Sequence, residues 1–317
     1  MIAPQVLILS RREIAQLMRP ADWLSAVEAG FVALARGEAE APAPLHLHAD
    51  GGGFHAKAAR FRHHGRAFAA VKVNGNFPAN PVERGLPTIQ GAILLFDAET
   101  GSPLAVLDSI EVTLRRTAAA TALAATRLAR PDSAVLAICG NGAQADPQLQ
   151  ALRDVLPIRE VVRWDSDPAR SDVASLKKAT ADADVIVTCT TARAPFLEPR
   201  HVRPGSFVAA VGADSPDKSE IAPALMARAR VVCDSVEQGH SMGDLRHAVA
   251  AGAMTAADVA GDLASLVCGR IEGRQSPEQI TLFDSTGMGL QDVAACAAVY
   301  LRAREAAVGV ACPLGAA

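Results

Sequence analysis

The chain has 317 residues, a formal charge of -3 and an apolar half that is rich in alanine. That length holds two domains with cores of their own, and so apolar a composition excludes a chain that is disordered throughout. Mild acidity with scattered arginines argues against nucleic acid as a partner. No apolar run is long enough to span a bilayer, so no membrane is expected. The start, MIAPQVLILSRRE, does not read as a secretory signal, because charge follows the short apolar segment rather than preceding it. Six cysteines stand apart without a CxxC pair, which predicts free thiols in a reducing, cytoplasmic setting.

QVLILS reads as a short strand, and Ser10 with Glu13 three residues later reads as a capping box for the helix after it. Pro20 opens a second helix in which Trp23, Val27, Phe31 and Leu34 recur at helical spacing and face a core. From residue 41 the pattern changes to short β-like segments with glycine-rich turns. Leu45–His48 and Phe54–Ala58 alternate, and RFRHHGR reads as a surface hairpin turn. The strand Ala67–Val73 places Lys72 on the face opposite Val71 and Val73, and Thr88–Phe96 and Pro103–Asp108 are joined by the turn DAETG. The first 110 or so residues therefore read as an α+β domain. His46, His48, Asp50 and His55 lack a convincing further ligand or a cysteine nearby, so no metal is expected.

Residues 111–130 form an alanine-rich helix with Thr113 as a cap. Arg115 and Arg116 sit near its start, where a cation opposes the helix dipole. A guanidinium at that end is thus held either by a ligand carboxylate or by an acid of the protein. From 131 strands alternate with helices: a strand at 134–139, a helix from about 143 to 155, the strand Glu160–Trp164, a helix at 168–180 and the strand Val185–Cys189. Ser206–Val211 and Arg230–Asp234 add strands, Pro223–Ala229 is a short helix, and 242–266 is helical. This rhythm predicts an α/β fold with a doubly wound, largely parallel sheet. Ile280–Asp284 is a last short strand, the helix Leu290–Arg304 carries Val293, Ala297 and Leu301 on one side, and the tail from Gly309 reads as loose. That last helix lies outside the αβ rhythm and returns to the first domain.

The stretch SAVLAICGNGAQAD hands a strand to a tight turn and a helix start, as a dinucleotide-binding loop does. It matches G-x-G-x-x-A through Gly140, Asn141, Gly142, Ala143, Gln144 and Ala145. Asp165 ends the second strand of this unit, where an acid meets the adenosine ribose and favours NAD; Arg163 and Arg170 nearby keep NADP open. Thr190 and Thr191 follow the next strand, and Val211 and Gly212 the one after it, so all four are cofactor-lining candidates. Asp214, just past that strand, is either a capping residue or a proton donor facing the nicotinamide. Lys72, set among apolar and small residues, is a lysine whose pKa can fall or which can orient a carboxylate. Lys57, Asn76 and His48 are its companion candidates for binding substrate. Cations holding a carboxylate and an acid serving a nitrogen would suit a small amino or imino acid.

The segments VKVNGNFPANPVERGLPTIQGAILLFDAETGSPLAVLDS, VTLRRTAAATALAATRLAR, AICGNGAQA, VGADSPDKSEI, VVCDS and FDSTGMGLQDVA cover most of residues 67–300. In content and order they resemble the ornithine cyclodeaminase/mu-crystallin family. The resemblance implies a central Rossmann-type NAD(P) domain, here 116–289, and an α+β substrate-binding and dimerisation domain built from both chain ends, 1–115 and 290–317. It implies a homodimer. It further implies an enzyme reducing a cyclic imino acid such as Δ1-pyrroline-2-carboxylate, with ornithine cyclodeamination, cis-3-hydroxyproline dehydration and a non-catalytic crystallin-like role as alternatives. By resemblance Lys72 is the active-site lysine, Arg116 the carboxylate-binding arginine and Asp214 the catalytic aspartate. Two departures stand out. PAPLHLH carries Leu45 where the family commonly has an arginine, and Lys57 with Ala58 replaces its methionine-proline pair. Lys57 is expected to compensate for the missing cation.

Overall fold

Ser10 accepts the backbone N–H of Glu13 while the Glu13 carboxylate accepts that of Ser10 at 2.8 Å, so the capping box forms as the sequence predicts. In the computed structural model, which describes residues 5–314, this box leads strand β1 (Val6–Leu9) into helix α1 (Arg11–Leu17). Pro20 takes the first position of α2 (Pro20–Ala35), where no N–H is required, and the helix buries Trp23, Val27 and Phe31. There follow β2 (Ala39–Glu40), β3 (Leu45–Ala49), β4 (Gly52–His63), β5 (Arg66–Asn76), the single turn α3 (Asn80–Glu83), β6 (Ile89–Asp97) and β7 (Pro103–Asp108). The DAETG turn is tied by Asp97, whose Oδ1 accepts the N–H groups of Glu99 and Thr100 at 3.0 Å.

Helix α4 (Ser109–Leu128) begins earlier than the sequence predicts, and its cap is not Thr113. Asp108 Oδ1 accepts from the N–H groups of Ile110 and Glu111 at 3.1 and 2.9 Å, satisfying the open helix end before Thr113 is reached.

The next stretch runs β8 (Val135–Cys139), α5 (Ala145–Val155), β9 (Glu160–Trp164), α6 (Leu176–Thr180), β10 (Val185–Thr188), β11 (Phe207–Ala210), α7 (Pro223–Met226), β12 (Arg230–Cys233), α8 (Val236–Ser241), α9 (Gly243–Ala250), β13 (Gly261–Asp262), α10 (Leu263–Val267) and β14 (Thr281–Asp284). The helix expected over 168–180 shrinks to α6 after a short 3-10 turn. The cause is local competition: Asp165 Oδ1 accepts Asp167 N–H, Asp167 Oδ1 accepts Ala169 N–H, and Ser171 donates its hydroxyl to the Asp165 carbonyl. The helical stretch expected over 242–266 is likewise divided. Asp258 takes the N–H and hydroxyl of Thr255, and Asp262 caps α10 by accepting Ser265 N–H at 2.7 Å.

The chain ends with α11 (Gly289–Ala306) and β15 (Val310–Cys312). The tail from Gly309 is therefore not loose as far as Leu314: β15 pairs antiparallel with β1, Ile8 facing Val310. Nor does α11 have one buried side. Val293 and Ala297 are buried but Leu301 is 38% exposed, and Tyr300 takes the inward place beside it.

Two units result, Met1–Arg116 with Met288–Ala317, and Thr117–Gly287. In the first, an eight-stranded sheet runs β15-β1-β7-β6-β5-β4-β2, with β3 also on β4. Its pairs are antiparallel except β1 with β7, and α11 packs on α2, β4 and β5. In the second, seven strands run β13-β12-β14-β11-β10-β8-β9, and every pair is parallel. Strands β10, β11 and β14 are buried along their whole length, as a sheet covered on both faces requires. This is the expected α/β fold: a dinucleotide-type parallel sheet, plus a mixed-sheet domain drawn from both chain ends.

The Asp108 cap gives a direct test. Asp108→Ala should lower the unfolding free energy by about 1 kcal/mol, read as a drop in urea midpoint. An unchanged midpoint would show that the N-terminus of α4 is satisfied some other way.

Candidate functional site

In the first unit, β5 turns Lys72 onto the face that α11 covers. Gly289 opens α11 so close to β4 that a Cβ there would lie 2.5 Å from the Ala58 carbonyl oxygen. That approach sets Asp292, in the first turn of α11, against the lysine: Asp292 Oδ2 is 2.7 Å from Lys72 Nζ. The other oxygen, Oδ1, accepts from Arg116 Nε at 2.9 Å, and Arg116 Nη1 donates to Gln291 Oε1 at 2.6 Å. Lys72 Nζ also reaches the hydroxyl of Thr113 at 3.3 Å, on the same helix as Arg116. Of the two readings open for Arg116, the acid of the protein is the partner seen here. Arg115 points elsewhere, to Glu111 at 2.8 Å.

Lys72, Arg116 and Asp292 are all nearly inaccessible to solvent. Burial pushes the Lys72 ammonium down to about 7, with the charges of Arg116 and Lys57 adding to the effect and Asp292 opposing it. Burial by itself would raise the Asp292 carboxyl, but the charges of Arg116 and Lys72 outweigh it and hold the group below its ordinary value. Lys57 stands directly opposite Lys72 across β4 and β5. Asn76 is on β5 opposite Gly53, on the same face as Lys72, and His48 pairs with Gly53 from β3 with its side chain exposed. Lys57, Lys72, Arg116 and Asp292 thus form one electrostatic group, and Asn76 and His48 lie toward the rim of the sheet.

Asp292 and Gln291 escaped the sequence reading. Their signal was an acid and an amide in the first turn of an otherwise apolar, alanine-rich helix, within the quoted segment FDSTGMGLQDVA.

In the second unit the order of strands reverses at β8: β9 lies to one side and β10 to the other. Ligands bind outside the carboxyl ends of strands at such a switch point. Gly140 occupies that point with φ +103°, and a Cβ there would meet Thr190 Cγ2 at 2.8 Å and the Cys189 carbonyl oxygen at 2.9 Å. Gly142 and Ala143 are exposed, and Gln144 precedes α5. Among the described residues, Arg170 alone comes near the position of a Gly142 Cβ, at 4.0 Å, so a phosphate can approach the backbone there. The turn fits a dinucleotide on these grounds. Asp165, directly after β9, accepts Asn141 N–H on Oδ2 at 2.8 Å, and Arg163 donates to Asn141 Oδ1 at 2.9 Å. Burial raises the Asp165 carboxyl, but the N–H groups of Asn141 and Asp167 and the charge of Arg170 hold it below its ordinary value.

Thr190 follows β10, with Thr191 exposed beside it, and Val211 and Gly212 follow β11, both buried. Asp214 comes two residues later, half exposed, with Lys218 Nζ 2.5 Å from its Oδ1.

A doubly wound parallel sheet with a glycine turn at its switch point defines a dinucleotide-binding protein. Residues 5–307 match the ornithine cyclodeaminase/mu-crystallin family, and the chain belongs to that family. An archaeal alanine dehydrogenase, described as a dimer with bound NAD, superposes with a TM-score of 0.92 at 34% identity, covering 97% of this chain and 99% of the other. The Δ1-pyrroline-2-carboxylate reductase of Thermococcus litoralis, in complex with NADH and L-proline, gives a TM-score of 0.90 at 28% identity, with 96% and 99% covered. The iminosuccinate reductase of Paracoccus denitrificans is 35% identical over 325 residues, 96% of this chain and 98% of that one.

The lowered pKa of Lys72 has a consequence for stability. Between about 7 and an ordinary 10.5 the unfolded chain binds the proton that the folded chain has released, so folding gains as pH rises through that window. Unfolding free energies of wild type and Lys72→Met, measured across it, should diverge, with the wild type rising more steeply. Parallel curves would place the buried ammonium outside this account.

Proposed function

We propose that this NAD(P)-dependent enzyme reduces the carbon–nitrogen double bond of a small cyclic imino acid, Δ1-pyrroline-2-carboxylate to L-proline being the type reaction. The observation that carries the reading is the buried pairing of Lys72 and Arg116 on Asp292. Arg116 is charged throughout, and Lys72 joins it as a second cation whenever it holds its proton, so with a single carboxylate between them a substrate carboxylate can be taken up by charge-assisted hydrogen bonds, which are strong in such a site. Likeness to a reductase held with NADH and L-proline supports the substrate class.

In this reading Arg116, with Lys57 or Lys72, grips the substrate carboxylate, and Asn76 and His48 border it. The turn Gly140–Gln144 receives the pyrophosphate, Asp165 the adenosine ribose, and Thr190, Thr191, Val211 and Gly212 line the nicotinamide. An acid at the position of Asp165 favours NAD over NADP. The bound dinucleotide supplies the hydride. Asp214 keeps a proton at the ring nitrogen, so the adjoining carbon carries more positive charge and accepts hydride more readily. That help is greatest in the transition state.

The purified protein should consume NADH or NADPH with Δ1-pyrroline-2-carboxylate and yield L-proline, followed by nicotinamide absorbance. Asp214→Asn should lower kcat about a hundredfold or more. Undiminished turnover in that variant would remove Asp214 from its role. Ammonia released from ornithine, without reduction of any imine, would overturn the reaction itself.

The sheet of the first unit also supports a homodimer. On the face away from Lys72, Leu47, Phe54, Val73, Leu94, Ile8 and Val310 are all exposed on paired strands. A continuous apolar face of this kind marks an interface, and the archaeal relative is described as a dimer. Sedimentation should give a dimer for the wild type and a monomer for Val73→Asp/Leu94→Asp. A wild type that is monomeric at every concentration would end this assignment.

A further inference from the structure

Glu220 lies in none of the roles given above, yet it is fully buried and saturated with donors. Its Oε1 accepts from the backbone N–H and the hydroxyl of Thr190, each at 2.7 Å. Its Oε2 accepts from the Thr188 hydroxyl at 2.7 Å and from Gly212 N–H at 2.8 Å. Thr188 and Thr190 belong to the end of β10 and the residues beyond it, and Gly212 to the residues beyond β11. One carboxylate therefore bridges two neighbouring strand ends at the edge where the sheet takes its ligand. The fit is close from both sides, since a Cβ on Gly212 would lie 2.5 Å from the Glu220 carboxylate and from the Thr190 carbonyl oxygen. Glu220 is itself fixed from α9: Asp244 Oδ1 accepts its backbone N–H at 2.8 Å, that of Ile221 at 3.0 Å and the Ser219 hydroxyl at 3.0 Å.

We propose that Glu220 is the positioning residue of the nicotinamide-side edge, its ionised carboxylate holding the Thr190 and Gly212 segments at the spacing that bound cofactor requires. This rests on the reading that those segments line the nicotinamide. A carboxylate can serve four donors at once, while its protonated form turns one oxygen into a donor and gives up acceptor capacity. Cofactor affinity is then tied to the ionisation of a group that the solvent does not touch.

The surroundings put that ionisation within reach. Burial pushes the Glu220 carboxyl up to about 7, the charge of Asp244 adds to the rise, and the donors from Thr190 and Thr188 oppose it. Asp244 is itself raised by burial, and among the described residues the thiols of Cys139, at the end of β8, and Cys189, just past β10, also face Glu220. Burial, with the charge of Glu220 adding to it, raises both, so they stay neutral in this range. As pH falls through about 7, Glu220 gains a proton, the bridge loosens and NADH binds less tightly.

The test is a fluorescence titration of NADH into the full chain at several pH values on both sides of 7. Wild type should bind progressively more weakly below the transition. Glu220→Gln should bind about tenfold more weakly than wild type above it, as loss of a charge-assisted hydrogen bond implies, and with a flat pH profile. In steady state its KM for NADH should rise by more than its kcat falls. Thr188→Val removes one donor that favours the charged form, so its transition should move to higher pH. Should Glu220→Gln fail to fold, the wild-type transition and its shift in Thr188→Val decide. A Glu220→Gln protein that folds and copies the wild-type profile overturns the proposal, and so does a wild type with no transition near 7. A wild type that binds neither NADH nor NADPH at any pH instead defeats the cofactor reading on which the proposal rests.

Discussion

The ammonium of Lys72 and the guanidinium of Arg116 share a single carboxylate in a place that water does not reach. Removing three charges from water is expensive, and their mutual attraction offsets that cost only when the geometry is close. The geometry here comes from three elements that are far apart in sequence. β5 brings Lys72, α4 brings Arg116, and the first turn of α11 brings Asp292. The N-terminus of a helix favours an acid, so α11 stabilises the carboxylate it presents. That helix can start where it does because Gly289 has no side chain to strike Ala58. A small residue at one position thus lets the acid that opposes the lysine's loss of its proton come within reach of it.

The second unit uses buried acids differently. Glu220 and Asp244 accept from backbone N–H and hydroxyl groups at the carboxyl ends of strands and in the loops beyond them. Asp234 does the same, accepting Gly287 N–H at 2.6 Å, while Asp284 accepts Leu245 N–H at 2.8 Å in the first turn of α9. Burial pushes Glu220, Asp244 and Asp284 up, and neighbouring acids add to the rise in Glu220 and Asp284. No cation is needed, because each N–H supplies a fixed partial positive charge. Loops held this way gain definition without a large apolar core of their own. The first unit uses its carboxylate to gather cations; the second uses carboxylates to tie strand ends and the loops beyond them.

Much of this was legible in the sequence wherever the signal was local. The Ser10–Glu13 box, Pro20 at a helix start, the turn at Gly140 and the alternation that turns Lys72 inward each depend on neighbours within a few residues. What was missed depends on partners far away or on polar side chains competing for backbone. Asp292 is read as one more polar residue until α11 is laid on β5. Glu220 needs the ends of β10 and β11 in place before its four donors exist. The helix at 168–180 failed because Asp165, Asp167 and Ser171 bind the very groups a helix would use. The tail after Gly309 looked loose because β15 has a reason to form only once β1 stands beside it.

The charge balance around Lys72 also bears on which member of the family's chemistry suits this chain. Within the first unit, Lys57, Lys72 and Arg116 all act on Asp292, which is the acid whose charge acts on Lys72. A substrate with one carboxylate and an uncharged or singly protonated ring nitrogen lowers the excess positive charge. Ornithine brings a second ammonium. Placed about 4 Å from one of these cations it would cost about 4 kcal/mol at an effective dielectric near 20. An enzyme that handles a diamino acid needs a further carboxylate to offset that repulsion, and within this unit Glu111 is already committed to Arg115. Within this unit the charges thus suit a ligand with a single carboxylate better than one with two ammonium groups, through the same residues that could hold a carboxylate at all.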